Sequence, residues 1–315
     1  VGLKVKGVDL RMESLMIKSK KKRKMTTNRK VFLICMLAIP LAHFCVFWIY
    51  INFSSILLGF QTARGEWTLN NFVMFWDSLK TGTIGLALKN TLIFFLTNIL
   101  IIFPLGLLTS YFLYKKILEA KVFRIIFYLP SIISAVAYTG VFMELIRPWG
   151  VVGVIANALN IPFPPEGLLG TSRTAIWTIV AYCIWTNVGA NMLLFSGAMA
   201  RIPIDVLEAA KLEGCKPMQE VVYLIVPLIW PTLATMLILQ MTGIFSASGP
   251  IMLFTGGAYD TYTIAYWIFA QVYGNGGGSG NYGLVSASGL VFTLVGCVLI
   301  LITKRMTDKI EAVEY

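Results

Sequence analysis

Six long apolar stretches constrain the fold of this chain more than any other feature of its sequence. Each is close to the roughly 20 residues that an α-helix needs to cross the hydrocarbon of a bilayer. They cover approximately residues 31–53, 91–113, 122–145, 175–198, 221–245 and 284–302. Hydrophobic residues make up 57% of the chain and charged residues only 13%, about half the charged fraction of a typical soluble domain. The sequence therefore predicts an all-α integral membrane protein with six transmembrane helices.

The distribution of basic residues predicts how these helices are oriented. Residues 1–30 hold eleven of the 26 Lys and Arg residues, and the segments 114–124, 199–220 and 303–315 hold ten more. The alternating segments hold only the remaining five. Because cytoplasmic loops carry the excess of Lys and Arg, both termini and the 199–220 loop are predicted to be cytoplasmic. The net charge of +11 is thus a topology signal, and no nucleic-acid partner is predicted.

The composition of the remaining segments predicts how they are organised. Residues 1–30 lack the apolar content to fold alone and are predicted to be a disordered tail. Residues 61–80 are predicted to form an extracytoplasmic cap, and residues 148–172, with four prolines, an irregular loop. Residues 261–273 are apolar but too short to cross a bilayer, which indicates an interfacial or re-entrant helix. The glycine-rich residues 274–283 are predicted to be a flexible connector.

A polar segment, residues 201–231, interrupts the apolar pattern. Pro203 suits the first turn of a helix, and Asp205 places negative charge near the positive end of the helix dipole. Good helix formers continue to Glu213, and Gly214 is typical of a helix end. The segment therefore predicts a helix and a turn on one face of the membrane, where they can receive force from outside it.

A second helix is predicted to start at Pro217 and to become hydrophobic at Val221. We expect this helix to continue past Pro227 and Pro231 as the fifth transmembrane span.

The polar segment also carries a family resemblance. Glu208-Ala209-Ala210, then Gly214, then Ile225-Val226-Pro227 resembles the EAA loop of bacterial ABC-importer permeases. The loop departs from that pattern at Glu213, where aspartate is usual, and at Cys215, where alanine is usual, but neither change removes the charge or the turn. Weaker similarities to the maltose-type permeases follow in the expected order at Asn90-Thr91, Phe123-Arg124, Leu129-Pro130, Trp185, Gly189, Thr255-Gly256-Gly257 and Tyr282-Gly283-Leu284.

The resemblance is to permease subunits of the binding-protein-dependent carbohydrate family, of the maltose and multiple-sugar type. It implies the transmembrane domain of a type I ABC importer, with an EAA-type coupling helix on the cytoplasmic side. Residues 1–30 would be the basic tail and 31–89 the first transmembrane helix with its extracytoplasmic segment. Residues 90–304 would form the core permease domain, and 305–315 the cytoplasmic C-terminus.

The function that the resemblance implies is ATP-driven import of a carbohydrate, in particular an oligosaccharide, that an extracellular solute-binding protein delivers. The implied partners are a second homologous permease subunit, two ATPase subunits, the solute-binding protein, membrane lipid and the sugar. The chain would be a transport subunit and not an enzyme, since separate subunits would hydrolyse ATP. No cofactor is implied. The implied location is the bacterial cytoplasmic membrane, as a multi-pass protein.

The resemblance assigns the contact with the ATPase subunit to Asp205, Glu208, Ala209, Ala210, Lys211 and Gly214. Glu208 would meet a basic residue in a groove of the ATPase, and Gly214 would allow the sharp turn that seats the loop there. The residues themselves leave another interpretation open. Glu208 and Lys211 are spaced i, i+3 and could form an ordinary pair on a helix surface.

Uncharged polar residues within the spans indicate a path for the substrate. Asn187 and Asn191 are spaced i, i+4 and therefore share a helix face, and Gln240 and Ser246 lie near the end of the fifth span. Amides and hydroxyls suit a polyhydroxylated solute because they both donate and accept hydrogen bonds. The resemblance places Ser131, Asn187 and Gln240 near positions that line the sugar site. Hydrogen bonding between helices is the alternative role of these residues.

Other chemistries find little support in the sequence. His43 is the only histidine, and the five cysteines form no CxxC pair, so no catalytic residues, metal site or disulfide framework are predicted. Two other functions stay open. A cluster of membrane-embedded carboxylates or arginines would favour an ABC permease for a non-sugar solute, and none is found. An ATPase-independent channel or secondary transporter should show intramembrane charges or a repeat between halves, and neither is found.

Overall fold

The computed structural model describes residues 27–80, 82–246, 249–273 and 281–310. Regular structure within these ranges is helical, and the pairing of Gln61 with Trp67 is an isolated antiparallel bridge. The prediction of an all-α protein is therefore confirmed. The C-terminal residues 311–315 and most of the predicted glycine-rich connector lie outside the described residues.

The chain divides into two compact units, one up to Ser55 and one from Ile56 onward. In the first unit the described residues are helical and belong to α1 (Thr27–Gly59). Their side chains, where described, are exposed or half-buried although most are apolar, which suits a helix that lipid surrounds. Of the predicted tail, residues 1–26 lie outside the described residues, and 27–30 belong to the first turn of α1.

The second unit consists of helices joined by short connections. In order they are α2 (Asn70–Lys80), α3 (Thr83–Tyr114), α4 (Ala120–Ile132), α5 (Ala135–Leu145), α6 (Val151–Ala158), α7 (Ala175–Met199), α8 (Ile204–Leu212), α9 (Pro217–Leu228), α10 (Trp230–Thr242), α11 (Ile251–Phe254), α12 (Ile264–Tyr273) and α13 (Tyr282–Thr307).

Four of the six predicted spans are continuous helices, long and apolar enough to cross a membrane: α1, α3, α7 and α13. The other two spans are bent pairs, α4 with α5 and α9 with α10. The described part of the chain therefore has six candidate spans if each bent pair counts as one. The predicted multi-pass membrane architecture is confirmed, but the third and fifth spans are not straight helices.

The fifth span breaks at Ile229, where α9 and α10 meet at 79°. Ile229, with φ −96° and ψ 9°, departs from helical geometry. Pro227 and Pro231 have no N–H group, so two hydrogen bonds of a continuous helix cannot form around this residue. The prediction that one helix continues past both prolines is therefore wrong.

The third span breaks more sharply, with 107° between α4 and α5. Ile133 and Ser134, which join the two helices, have extended backbone conformations. Pro130 already removes one helical hydrogen bond in the preceding turn. The apolar pattern of residues 122–145 does not reveal the break, because residues on both sides of it are hydrophobic.

Of the helices in the connecting segments, α12 was predicted and α6 was not. The segment at 261–273 forms α12, whose ten residues confirm that it is too short to cross a bilayer as a helix. The segment 148–172 was expected to be an irregular loop, but it contains the two-turn helix α6. Its four prolines lie outside α6, so they do not prevent this helix from forming.

Three hydrophobic clusters hold the second unit together. One cluster joins α3, α7, α8 and α9 through Phe103, Tyr111, Phe195, Met199, Leu207, Val221 and Ile225. A second joins α2, α3, α12 and α13 through Phe75, Ile84, Ile264, Trp267 and Phe292. A third joins α5, α7 and α11 through Tyr138, Ile179, Tyr182, Cys183 and Ile251.

Glycines allow α7 to approach its neighbours closely. A Cβ atom at Gly189 would lie 1.9 Å from the carbonyl oxygen of Phe127 in α4. On α3, a Cβ atom at Gly106 would lie 2.8 Å from the Cβ of Asn191 in α7. Small residues commonly permit such close packing of membrane helices, and here they fix α7 between α3 and α4.

Asn90 and Thr91, near the start of α3, hold the segment that leads into α12. The Asn90 amide donates to the carbonyl oxygens of Asp260 at 2.7 Å and Tyr262 at 2.8 Å. The backbone N–H of Ile264 donates to the Thr91 hydroxyl at 3.0 Å. Both side chains are buried, so this pair of residues anchors the segment from inside the protein.

Candidate functional site

The first candidate site is the exposed helix α8 and the turn that follows it. α8 begins after Pro203, with Asp205 in its first turn and Lys211 in its last, the charge order that a helix dipole favours. Leu207 is buried in the cluster with α3, α7 and α9. The helix is thus attached to the membrane-spanning helices by one face, and the other face carries its charged residues.

Glu208 and Ala209 are exposed on α8, and Ala210 is half-buried. Within the described residues Glu208 forms neither an ion pair nor a side-chain hydrogen bond. The surface pair between Glu208 and Lys211, which was the alternative interpretation of their spacing, is therefore not formed. The carboxylate is left available to a group outside the described residues.

The turn after α8 has the predicted geometry. Gly214 has φ +74°, a left-handed conformation that glycine adopts at little cost. The backbone N–H of Cys215 donates to the carbonyl oxygen of Ala210 at 3.0 Å, which closes the end of the helix. α9 then starts at Pro217, as expected. The turn therefore reverses the chain abruptly between the exposed helix and the fifth span.

A buried ion pair lies directly after this turn, and the sequence interpretation missed it. Glu220 in α9 is only 3% exposed. One of its carboxylate oxygens is 2.5 Å from the Lys115 ammonium, and the other accepts a hydrogen bond from the Tyr111 hydroxyl at 3.0 Å. The sequence offered one indication of this pair. Glu220 is the last charged residue before the fifth span, and Lys115 is the first charged residue after the second span.

The second candidate site is a cavity of about 250 Å³ between α3, α7 and α10. Its walls carry amides, hydroxyls and apolar groups but no charged side chain. The lining residues are Thr91, Phe94, Phe95, Thr97, Asn98, Ile102, Cys183, Asn187, Gln240, Gly243, Ile244 and Gly249. Two of the residues predicted to line the substrate path, Asn187 and Gln240, therefore meet here.

Asn98 is the third amide of the cavity, and the sequence interpretation did not select it. Its amide nitrogen donates to the side-chain oxygen of Gln240 at 3.1 Å. Its own side-chain oxygen is buried and has no hydrogen-bond partner within the described residues. A buried acceptor without a partner is costly, so it marks a position where a ligand or water can donate. Asn98 also begins a π-helical turn in α3, a distortion that is frequent at functional sites.

The other three predicted path residues lie elsewhere. Asn191 is 8% exposed and packs against Gly106, outside the cavity. Ser131 is exposed, and its hydroxyl donates to the carbonyl oxygen of Tyr128 at 2.7 Å. Ser246 lines a separate groove against α13. The shared helix face of Asn187 and Asn191 therefore does not bring both into the same cavity, because Asn191 lies where α7 meets α3.

Metal ligands and disulfides do not shape either site in the described part of the chain. No group of three or more His, Cys, Asp or Glu residues there could hold a metal ion. All five cysteines are free. The chemistry of both sites therefore comes from carboxylate, amide and hydroxyl groups.

Comparison with known proteins agrees with this arrangement. The chain is 25% identical over 267 residues to the multiple sugar-binding transport system permease protein MsmF of Streptococcus mutans, covering 84% of this chain and 88% of that protein. It is 28% identical over 239 residues to the lactose transport system permease protein LacF of Rhizobium radiobacter, covering 71% and 77%. It is 24% identical over 277 residues to the arabinooligosaccharides transport system permease protein AraP of Bacillus subtilis, covering 85% and 86%.

The fold is also found in solved structures. A chain in the crystal structure of a bacterial ABC transporter involved in the import of the acidic polysaccharide alginate superposes with a TM-score of 0.78 at 22% identity. The match covers 90% of this chain and 97% of that one. Residues 102–312 match the family described as binding-protein-dependent transport system inner membrane component. This match includes α8, the following turn and most of the helices around the cavity, and the chain belongs to this family of membrane transport permeases.

Proposed function

We propose that this chain is the transmembrane permease subunit of an ATP-driven importer for an uncharged carbohydrate, in particular an oligosaccharide. The observation that carries the choice of solute is the amide-lined, charge-free cavity. The family membership supports the transport role. The sugar named in each of the three relatives supports the solute class.

The chemistry of the cavity fits a polyhydroxylated solute. Asn98, Asn187 and Gln240 each offer both donor and acceptor groups, and the buried oxygen of Asn98 lacks a donor. Phe94 and Phe95 supply apolar surface, which the carbon faces of a sugar ring can cover. With no charged group in the lining, the cavity has nothing to balance a carboxylate or an ammonium in a low-dielectric setting. A neutral sugar therefore fits better than an amino acid or an acidic polysaccharide.

The size of the cavity fits a site that two subunits share. Its volume of about 250 Å³ is below the roughly 300–1,000 Å³ of typical ligand pockets. A second, homologous permease would complete the wall around an oligosaccharide. The solute-binding protein would deliver the sugar on the extracytoplasmic side, and membrane lipid would cover the remaining apolar surface.

The ATPase would contact α8 on the side that the distribution of basic residues predicts to be cytoplasmic. Glu208 would meet a basic group of the ATPase, since it has no partner among the described residues of its own chain. Asp205, Ala209, Ala210, Lys211 and Gly214 would form the rest of the contact. Closure of two separate ATPase subunits on ATP would displace α8 and switch the pore from inward-facing to outward-facing. Such a switch requires a contact that differs between the two states, and we assign it to Glu208 and its neighbours.

Co-purification tests the proposed assembly. The protein is solubilised in detergent at native expression, captured and examined by mass spectrometry. We expect an ATPase, a second permease and a carbohydrate-binding protein to accompany it. Recovery of the chain alone, or as a homo-oligomer, would support a channel or a secondary transporter instead.

Uptake by membrane vesicles tests the solute class. Tritiated lactose, raffinose and maltotriose are compared with tritiated galacturonate oligomers, with and without ATP. We expect ATP-dependent uptake of a neutral sugar, with a KM raised about tenfold in Asn98→Ala and Gln240→Ala because each loses hydrogen bonds to the solute. Thr235→Ala is the matched control, since this exposed α10 hydroxyl binds only the Pro231 carbonyl oxygen and does not line the cavity. Selective uptake of the acidic oligomers would exclude a neutral substrate.

A further inference from the structure

Glu220 carries a charge in the protein interior, where an unpaired charge is destabilising. Its side chain is 4% exposed, against 22% for Lys115. A carboxylate withdrawn from water is stable only when it is paired and hydrogen-bonded. Lys115 pairs with one carboxylate oxygen, and the Tyr111 hydroxyl donates a hydrogen bond to the other. The first oxygen has the ion pair but no hydrogen bond within the described residues. The three side chains form one unit, which we call the Glu220 clamp.

The clamp joins two helices that reach different sites. Glu220 lies in the first turn of α9, directly after the turn that carries the exposed helix α8. Tyr111 and Lys115 lie at the C-terminal end of α3. Leu207 of α8 packs into the same cluster as Tyr111 and Val221. Apolar packing therefore fastens the exposed helix to the end of α3, and the ion pair fastens α9, which follows the turn, to the same end.

From the clamp, α3 offers an unbroken path to the cavity and the fifth span does not. α3 runs as one helix from Tyr114, next to Lys115, back to Asn98, roughly 24 Å at about 1.5 Å per residue. The fifth span bends by 79° at Ile229, before it reaches Gln240. A displacement of α9 would thus be absorbed at the bend along its own span, whereas α3 can carry it as a rigid element.

The far end of this path is the hydrogen bond between Asn98 and Gln240. Movement of α3 along its axis would shift Asn98 against Gln240, because the two residues belong to different helices. The clamp and this bond are therefore the two ends of one rigid connection between the exposed helix and the cavity.

We propose that Glu220 is a positioning residue for transport, which passes the displacement of α8 through Lys115 and Tyr111 to α3 and so to the cavity. This inference rests on the proposed function. A purely structural clamp would only keep the helices folded. A coupling clamp also sets how much solute moves for each ATP hydrolysed.

The test measures uptake and ATP hydrolysis in the same proteoliposomes, reconstituted with the complete purified complex and its binding protein. The solute is whichever of tritiated lactose, raffinose and maltotriose the wild type takes up fastest. In Glu220→Gln and Lys115→Met we expect ATP hydrolysis to persist while the ratio of uptake to hydrolysis falls about tenfold, within the usual range of coupling energies. The charge-reversed pair Glu220→Lys with Lys115→Glu is expected to recover part of the ratio.

Two further variants separate coupling from folding. Tyr111→Phe keeps the buried ring and removes one hydrogen bond, so it reports the ratio if the Glu220 variants fail to assemble. Glu144→Gln is the matched control, because Glu144 forms an ion pair with Arg147 that is exposed on both sides. We expect a lowered ratio in Tyr111→Phe and an unchanged ratio in Glu144→Gln.

The outcomes distinguish this inference from the function on which it rests. Wild-type vesicles without ATP-dependent uptake of any of the three sugars would overturn both. ATP-dependent uptake in the wild type, with a normal ratio in the assembled clamp variants or with uptake and hydrolysis falling in proportion, would overturn the clamp alone.

Discussion

Glu208 and Glu220 lie on either side of the turn at Gly214 and meet opposite surroundings. Glu208 is exposed on α8 and has no ion-pair partner among the described residues, whereas Glu220 is buried in α9 between Lys115 and Tyr111. The comparison shows that two glutamates close in the sequence can have different roles. A buried charge needs partners inside its own chain, so Glu220 constrains the fold. An exposed charge costs little when unpaired, so Glu208 is available for assembly.

Glu220→Ala should produce the largest effect on stability. Removing the carboxylate leaves Lys115 without its counter-charge and Tyr111 without its acceptor, and we expect a loss of about 3 kcal/mol in the free energy of unfolding. Unfolding of the purified complex in mixed micelles measures it. Glu220→Gln, which retains hydrogen bonding, should lose less. A variant as stable as the wild type would show that the buried pair does not hold the helices together.

Glu208→Lys should leave stability unchanged within about 0.5 kcal/mol, because the side chain is exposed. It should nevertheless abolish uptake and reduce the ATPase recovered on co-purification by about tenfold or more, since a like charge would face the basic group that we propose on the ATPase. Glu119→Lys, another exposed glutamate in a loop predicted to be cytoplasmic, serves as the control. Normal uptake in Glu208→Lys would contradict the coupling role and remove the contrast with Glu220.

Gly214→Ala tests the turn that separates the two glutamates. A Cβ atom there would have nothing within 4 Å, so the cost comes from the left-handed backbone alone, about 1 kcal/mol. Gly197→Ala is the matched control. Its Cβ atom would also meet nothing, but its helical backbone favours alanine. Equal changes in the unfolding temperature of the two variants would contradict this prediction. They would show that a side chain at position 214 does not strain the left-handed turn.

Lys211→Ala should have the smallest effect of the four. Because Lys211 and Glu208 do not pair, the free energy of unfolding should change by no more than a few tenths of a kcal/mol. Chemical unfolding beside the wild type measures it. A loss of about 1 kcal/mol would indicate that the two charges interact in solution, and that Glu208 resembles Glu220 more than its exposure implies.

Features with a local cause were predictable from the sequence. Pro203, Gly214 and Pro217 mark the bounds of α8 and the start of α9 through their own backbone preferences, and the structure confirms them. The apolar stretches likewise mark the spans, because their length is set by the bilayer. The coupling roles of the exposed residues stay a prediction.

Features that depend on distant parts of the chain were not predictable. The bend at Ile229 was missed because prolines are tolerated within membrane helices when neighbouring groups compensate, and the sequence does not show those neighbours. Asn98 was overlooked because its importance comes from Gln240 on another span. Glu220 was overlooked for the same reason, since only the packing of α3 against α9 brings Lys115 to it.

The break at Ile229 has a consequence for how such permeases diversify. The residues before Ile229 form the exposed helix α8, its turn and the buried ion pair, and residues after it line the cavity. Because the backbone already changes direction there, substitutions in α10 need not preserve the fit of α9. We expect that exchanging residues 230–246 between relatives, by evolution or by design, alters the choice of sugar. The proposed contacts with the ATPase would stay the same.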